Sequence, residues 1–462
     1  MGYFILIILS AIPAYTLACS TFKLQKGDGL VYGHNLNQED LGVPGLLFIN
    51  QRGIYKTGIA WRDLTAKDSS DFKRQRWISR YGSVSFNTFG KNLPDGGMNE
   101  SGLVIWEMND DTEYPQNDSL PRLCQMNWMQ YILDNCSTLD EAIQCAYTFQ
   151  IDGWGWHYFV GDRYGNTAAI EFHNGQVVIH SGDEMPIPAL FNTSYDRELE
   201  LLKFYEGYGG QYEIDILDPS TPRFVRSAKM IEDYKPSRSM VKYGLKMLEN
   251  LRVNDDPEWS VLFDPQNMEL YFRTRLHPKI KTLDMAKVNF SNLLPARILN
   301  IDIEAEGNIS NKFESYSNAR MLEFTEDLIL PILPETFFTS NGITIQEYLR
   351  RLSAYSDAPT LEENQFFRGI WEFKKGSGAT ITLDLSTRGD AVTGELILPG
   401  GKETYYVDHL QMLGNELKFT YRSPEAGFIE VQGTIDGNQM KISLQGMEDF
   451  YGNFIFTRNA SL

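Results

Sequence analysis

Cys19 is the residue whose type and position carry the most chemistry. It follows the segment MGYFILIILSAIPAYTLA, which has no charged side chain, an apolar run from Tyr3 to Leu9 and small residues near its end. The run is too short to span a bilayer. It reads as a secretory signal cleaved after Ala18, although the usual positive n-region is missing. Cleavage would make Cys19 N-terminal. One residue would then hold the thiol nucleophile and an α-amine with a pKa of about 7.7–8.0 to act as its base. No histidine is needed to activate such a thiol, and the 6 histidines show no triad spacing. His157 and His173 read as ordinary strand histidines. Two other readings fit Cys19 alone. A lipoprotein cysteine also follows a signal, but Thr16 stands where a lipobox carries leucine. A structural cysteine early in a strand is the other.

The remaining cysteines, Cys124, Cys136 and Cys145, show no CxxC spacing, so the sequence implies neither a metal site nor a redox motif. Export would permit a disulfide, with Cys124 and Cys145 able to meet across a helical hairpin; buried free thiols are the plainer reading. The chain has 462 residues, 42% hydrophobic and 22% charged, which suits a globular protein of two or three domains. A formal net charge of −19 with no basic run argues against a nucleic-acid partner or an anionic membrane surface. No stretch after the leader is apolar enough for a transmembrane helix.

The elements that must position Cys19 begin with a hairpin. STFKLQ and LVYGHNL read as strands around KGDG, which supplies glycine and aspartate for a tight turn. Further strands are read in LLFINQ, GIYKTGIAW, YGSVSFNTFG and GLVIWEM, with PDGG as a turn. PRLCQMNWMQYILDN places Leu123, Trp128, Ile132 and Leu133 on one helical stripe. STLDEAIQCAYTF opens on a capping box, either Thr138 with Glu141 or Ser137 with Asp140. WHYFVGD and TAAIEFH form a hairpin, VRSAKMIEDY and MVKYGLKMLENL two helices, and WSVLFDPQNMELYFRTRL another hairpin. This order indicates an α+β domain of packed antiparallel sheets with helices outside. We place the signal at 1–18, this domain at 19–300, a helical bridge at 301–360 and an all-β domain at 361–462. The last has strands about every 8–12 residues, as in a small sandwich or barrel.

Five segments, ACSTFKL, GHNLN, GGMNESGL, LFNTSYD and TPRFVR, resemble in order those of the choloylglycine hydrolase family, which contains bile-salt hydrolases and penicillin V acylases. The similarity covers most of residues 19 to 300. It implies the four-layer αββα sandwich of an N-terminal-nucleophile hydrolase and cleavage of a linear amide C–N bond through an acyl-thioester. Cys19 matches the family's nucleophile, Asn109 and Asn192 its oxyanion and substrate-positioning asparagines, and Arg223 its later active-site arginine. These residue types suit amide hydrolysis, because donors aimed at the developing oxyanion contribute about 3 kcal/mol each. Alone, each has a structural reading: Asn192 at a turn, Asn109 at a strand end, Arg223 at a helix surface. Asn99 in GGMNE also recurs in the family pattern, but a turn role accounts for it.

The early motif departs from the family's GRN-x-D. His34 replaces the arginine and is assigned to substrate binding; Asn37 replaces the aspartate beside the nucleophile. Without that carboxylate the α-amine should deprotonate more readily and be a weaker base. The resemblance implies a small-molecule N-acyl amide substrate and no metal or organic cofactor, and the signal implies a periplasmic or secreted protein. A catalytically weak binding protein of this fold, or a surface protein lipidated on Cys19, are the alternatives. The all-β domain could serve packing, homo-oligomerisation or glycan binding.

Overall fold

The computed structural model describes residues 19–37, 43–66, 75–237, 239–253, 259–292, 295–332, 342–356 and most of 369–458. The proposed signal at 1–18 lies outside these. Two sheets form the centre. A seven-stranded sheet runs in the order Ala189–Leu190, Ser20–Lys26, Gly29–Leu36, Trp259–Asp264, Glu269–Thr274, Lys281–Asp284, Gly307–Asn308. A nine-stranded sheet runs Gln176–Ser181, Thr167–His173, Trp156–Gly161, Val104–Asn109, Gly96–Asn99, Ser83–Asn87, Leu46–Asn50, Arg297–Asn300, Glu314–Ser315. They pack face to face. Tyr32 meets Phe159, Phe86 meets Phe272, and Trp106 meets Phe263 across the interface.

Helices cover both outer faces. Met240–Asn250 packs on Gly29–Leu36 and Trp259–Asp264. Gln125–Asn135 and Leu139–Thr148 pack on the other sheet around Trp128, Ile132, Leu133 and Ala142. The result is a four-layer αββα sandwich of α+β class. Eight C-terminal strands, from Gly369–Lys374 to Gly452–Arg458, close a barrel around Trp371, Leu383, Phe419 and Val431.

The N-terminal hairpin forms as its sequence requires. Ser20 pairs Asn35 and Lys26 pairs Gly29, with Gly27 at φ 58° supplying the left-handed turn residue. The helix after Thr138 has the expected capping box: Thr138 Oγ1 accepts from the Glu141 N–H at 3.3 Å, and the Glu141 carboxylate accepts from the Thr138 N–H at 3.2 Å.

Three expectations change. PDGG is no turn, because Gly96 and Gly97 lie in a central strand, Gly96–Asn99. The reason is packing: a Cβ on Gly96 would stand 2.0 Å from Trp106 Cε3. Gly96→Ala is therefore expected to destabilise the protein by about 1–3 kcal/mol, measured as a lower denaturant midpoint at unchanged slope. Next, the sandwich does not stop near residue 300. Gly307–Asn308 and Glu314–Ser315 pair into the two sheets, and Met321, Tyr348 and Leu352 join the core beneath the helices. Finally, the cysteine nearest Cys145 is Cys136, at Sγ···Sγ 3.6 Å, rather than Cys124, whose Sγ accepts from the Asn127 N–H. All four cysteines are free. Mild oxidation is expected to join Cys136 to Cys145 while leaving Cys124 reduced, read by a non-reducing peptide map.

Candidate active site

Cys19 immediately precedes the strand Ser20–Lys26 and is buried. Burial pushes its thiol well above the ordinary value; Glu107 and Asp95 push the same way, while the Asn37 backbone N–H and the Arg223 charge pull it down. Arg223 opens the helix Arg223–Asp233 and reaches back to the nucleophile candidate. Its Nη1 donates to the Cys19 carbonyl at 2.9 Å and its Nη2 to Asn192 Oδ1 at 3.4 Å. The guanidinium lies 5.1 Å from the centre of the Phe191 ring. Burial lowers the Arg223 pKa to about 10, against the nearby Cys19 and Glu198, so the guanidinium remains a cation at neutral pH.

Asn192 and Asn109 continue the chain of contacts. Asn192 Nδ2 donates to the Asn109 carbonyl at 3.1 Å, and Asn109 Oδ1 accepts from Trp156 Nε1 at 2.8 Å. The indole thus fixes the Asn109 amide with its oxygen occupied and its NH2 left to donate. Strand register makes this possible, because Asn109 pairs directly with Trp156 at the end of the ladder. Four of the residues expected from sequence, Cys19, Arg223, Asn192 and Asn109, therefore share one hydrogen-bonded network.

Asn37 and His34 stand differently. Asn37 ends the same hairpin, bonds the thiol through its backbone, and its Oδ1 accepts from the Val253 N–H at 3.3 Å. It is buried and brings no charge to the nucleophile. His34 is 1% exposed, pairs Thr21 across the hairpin, hydrogen-bonds Thr21 Oγ1 at 2.8 Å and stacks on Trp106 at 4.1 Å between ring centres. Burial lowers its pKa to about 3, so it is a neutral core ring beneath the N-terminal strand. This packing supplies inter-sheet contact rather than a face for substrate.

Several neighbours were not singled out from sequence. Trp156 orients Asn109, and Phe191 carries Arg223. Glu198, buried near Arg223, has its pKa raised to about 7 by burial, with Arg223 and His157 opposing. His157 Nε2 bonds the Phe191 carbonyl, one residue before Asn192. The only local signal is the aromatic run WGWH, which looks like core.

A penicillin V acylase of Pectobacterium atrosepticum is 25% identical to this chain, the match covering 46% of the chain and 69% of that protein. The solved structure of penicillin V acylase from Agrobacterium tumefaciens superposes with a TM-score of 0.54 at 21% identity, over 65% of this chain and 98% of that one. These likenesses agree with the family resemblance carried by the five segments and with the fold. A conjugated bile acid hydrolase variant from Clostridium perfringens matches at a TM-score of 0.46 and 16% identity, over 65% of this chain and 97% of that one. No family model matches the chain. Among the described residues, no helix is long and apolar enough to cross a membrane.

Under the mechanism proposed below, in which the Cys19 α-amine is the base, Asn37 yields a pH test. Asn37→Asp would place an anion beside the amine, raising the amine's pKa and moving the acid limb of the pH–rate profile upward by about one unit, with a higher plateau. Wild type should retain activity to lower pH at a smaller maximal rate. Superimposable profiles would contradict this reading.

Proposed function

We propose that the protein is exported, loses residues 1–18, and hydrolyses linear N-acyl amides with Cys19 as its N-terminal nucleophile. The carrying observation is the network running from Cys19 through Arg223 and Asn192 to Asn109. In this reading the freed α-amine takes the thiol proton and the thiolate attacks the carbonyl carbon. The oxyanion is stabilised by amide donors of the Asn109–Asn192 pair. The amine then protonates the leaving nitrogen, and water cleaves the acyl-thioester.

Arg223 fits as a positioning residue. Its bonds to the Cys19 carbonyl and Asn192 Oδ1 hold nucleophile and oxyanion donor in one frame, and its charge favours the thiolate. The Pectobacterium relative's name supports an amide-bearing acyl substrate such as a phenoxyacetyl amide. Bile-salt, acyl-homoserine-lactone and N-acyl-amine substrates belong to the same screen. The test is turnover of an N-acyl amide panel, phenoxyacetyl amides included, by protein whose first residue is Cys19. Arg223→Ala should lower kcat/KM by about 10²–10³-fold. A variant carrying one extra residue before Cys19 should be inactive, because its amine is then a peptide nitrogen. Undiminished turnover by that extended variant would overturn the mechanism.

A further inference from the structure

Three of the 6 histidines converge with two carboxylates beside the Asn109–Asn192 pair. Strand register brings them together. Glu171 and His173 alternate on one face of Thr167–His173, His180 lies on the paired strand Gln176–Ser181, and His157 lies on the next strand. Asp110 follows Asn109 at the end of its strand.

His173 Nε2 stands 3.6 Å from Asp110 Oδ2 and 3.6 Å from Glu171 Oε1. Donor atoms of Asp110, Glu171 and His173 all lie within 4.8 Å of one another. Ligands on a common zinc ion stand roughly 3.4 Å apart, given metal bonds of about 2.0–2.1 Å. Burial supplies the second observation. The side chains of Glu171 and Asp110 are 1% and 6% exposed. Asp110 Oδ2, Glu171 Oε2, His173 Nε2 and His180 Nε2 are buried without a hydrogen-bond partner among the described residues. His180 Nε2 approaches Glu171 Oε2 to 3.2 Å, but without hydrogen-bond geometry. The side chains bearing these atoms approach one another to 3.2–3.6 Å, and His157 Nδ1 also lies 3.6 Å from Asp110 Oδ2.

We propose that Asp110, Glu171 and His173 form a site for a divalent transition-metal ion of the zinc class. Mixed imidazole and carboxylate donors suit such ions better than calcium or magnesium. Outer contacts hold the ligands. Glu171 Oε1 lies 3.0 Å from His157 Nδ1 and accepts from the Tyr195 N–H at 3.0 Å, while His180 flanks its other oxygen. The ring of His173 is 26% exposed on its side chain and opens the cluster to solvent. Metal binding would tether Asp110, next to Asn109, and through His157 the Phe191 carbonyl, next to Asn192. This tethering role rests on the proposed hydrolase site; the binding itself does not.

The test is calorimetric titration of zinc chloride into the chelator-treated protein carrying Cys19→Ala, so that no thiol at residue 19 can bind the ion. We expect one ion per chain and a raised melting temperature. Asp110→Asn with His173→Ala should weaken binding by more than the ~10–100-fold of a lost orienting partner, and His277→Ala should not. Should the cluster variants fail to fold, cobalt(II) loading of the Cys19→Ala protein provides a second measurement: a visible spectrum of nitrogen and oxygen ligation, with no near-ultraviolet thiolate band, supports the site. Absence of binding heat, binding undiminished in the cluster variants, or a thiolate band would overturn it. Because binding is read without turnover, a protein that binds zinc but hydrolyses no amide would sink the hydrolase reading and leave the metal site standing.

Discussion

Cys19→Ala is expected to reduce amide hydrolysis to the uncatalysed background while leaving the fold intact. Alanine keeps the α-amine, the Arg223 contact to the residue-19 carbonyl and the asparagine network, and removes only the sulfur. A loss of about 10⁴-fold or more then measures covalent catalysis rather than misfolding. Cys19→Ser separates the roles further. Its hydroxyl is a far weaker nucleophile with the same small base beside it, so it should retain only a trace of activity. Melting temperature and substrate binding should change little in either variant. Substantial activity in Cys19→Ala would move the nucleophile elsewhere.

The second large effect concerns stability and lies under the helices. Lys56 Nζ is 2.8 Å from Asp134 Oδ2, with the two side chains 4% and 0% exposed. Trp77 Nε1 donates to Asp134 Oδ2 at 2.7 Å and Gln130 Nε2 to Oδ1 at 2.8 Å. One carboxylate thus ties two short strands, Tyr55–Thr57 and Arg76–Ile78, to the helix Gln125–Asn135. Burial opposes both charges: it pushes the Asp134 carboxyl up and the Lys56 ammonium down, and their mutual attraction offsets part of that. Asp134→Ala leaves a buried ammonium and two donors without their acceptor. The expected cost is about 3–5 kcal/mol, a melting temperature lower by roughly 10 °C or more. Lys56→Met combined with Asp134→Leu should recover much of that loss, because the uncompensated charge is gone. If the single variant melts with wild type, the ion pair has been overvalued.

Neither Lys56 nor Asp134 stands out in the sequence, since each looks like an ordinary surface charge until the helix packs over the strand. The same holds for the proposed metal ligands, Asp110, Glu171 and His173, which are up to 63 residue positions apart and meet through strand register. By contrast, the hairpin after Cys19 was legible because KGDG marks its turn and the flanking runs are short and apolar. The capping box at Thr138 was legible because it is local chemistry. Cys19, Asn109, Asn192 and Arg223 were singled out through family-like segments, not through spacing, and hydrogen bonds link the four in the fold. His34 misled because a histidine at an arginine position suggests a substrate contact, whereas its stacking on Trp106 depends on the opposing sheet. Gly96 misled because glycine after proline and aspartate signals a turn, whereas here it makes room for that same tryptophan.

Acyl-enzyme trapping tests the central claim most directly. The mature protein would be mixed with a phenoxyacetyl amide or its activated ester, quenched in acid within one turnover, digested and mapped by mass spectrometry. The account predicts a peptide beginning at Cys19 with a free α-amine and one acyl group on sulfur, absent from Cys19→Ala. Acyl mass on another residue, or turnover by protein in which Cys19 is still preceded by Ala18 or carries a lipid, would contradict it.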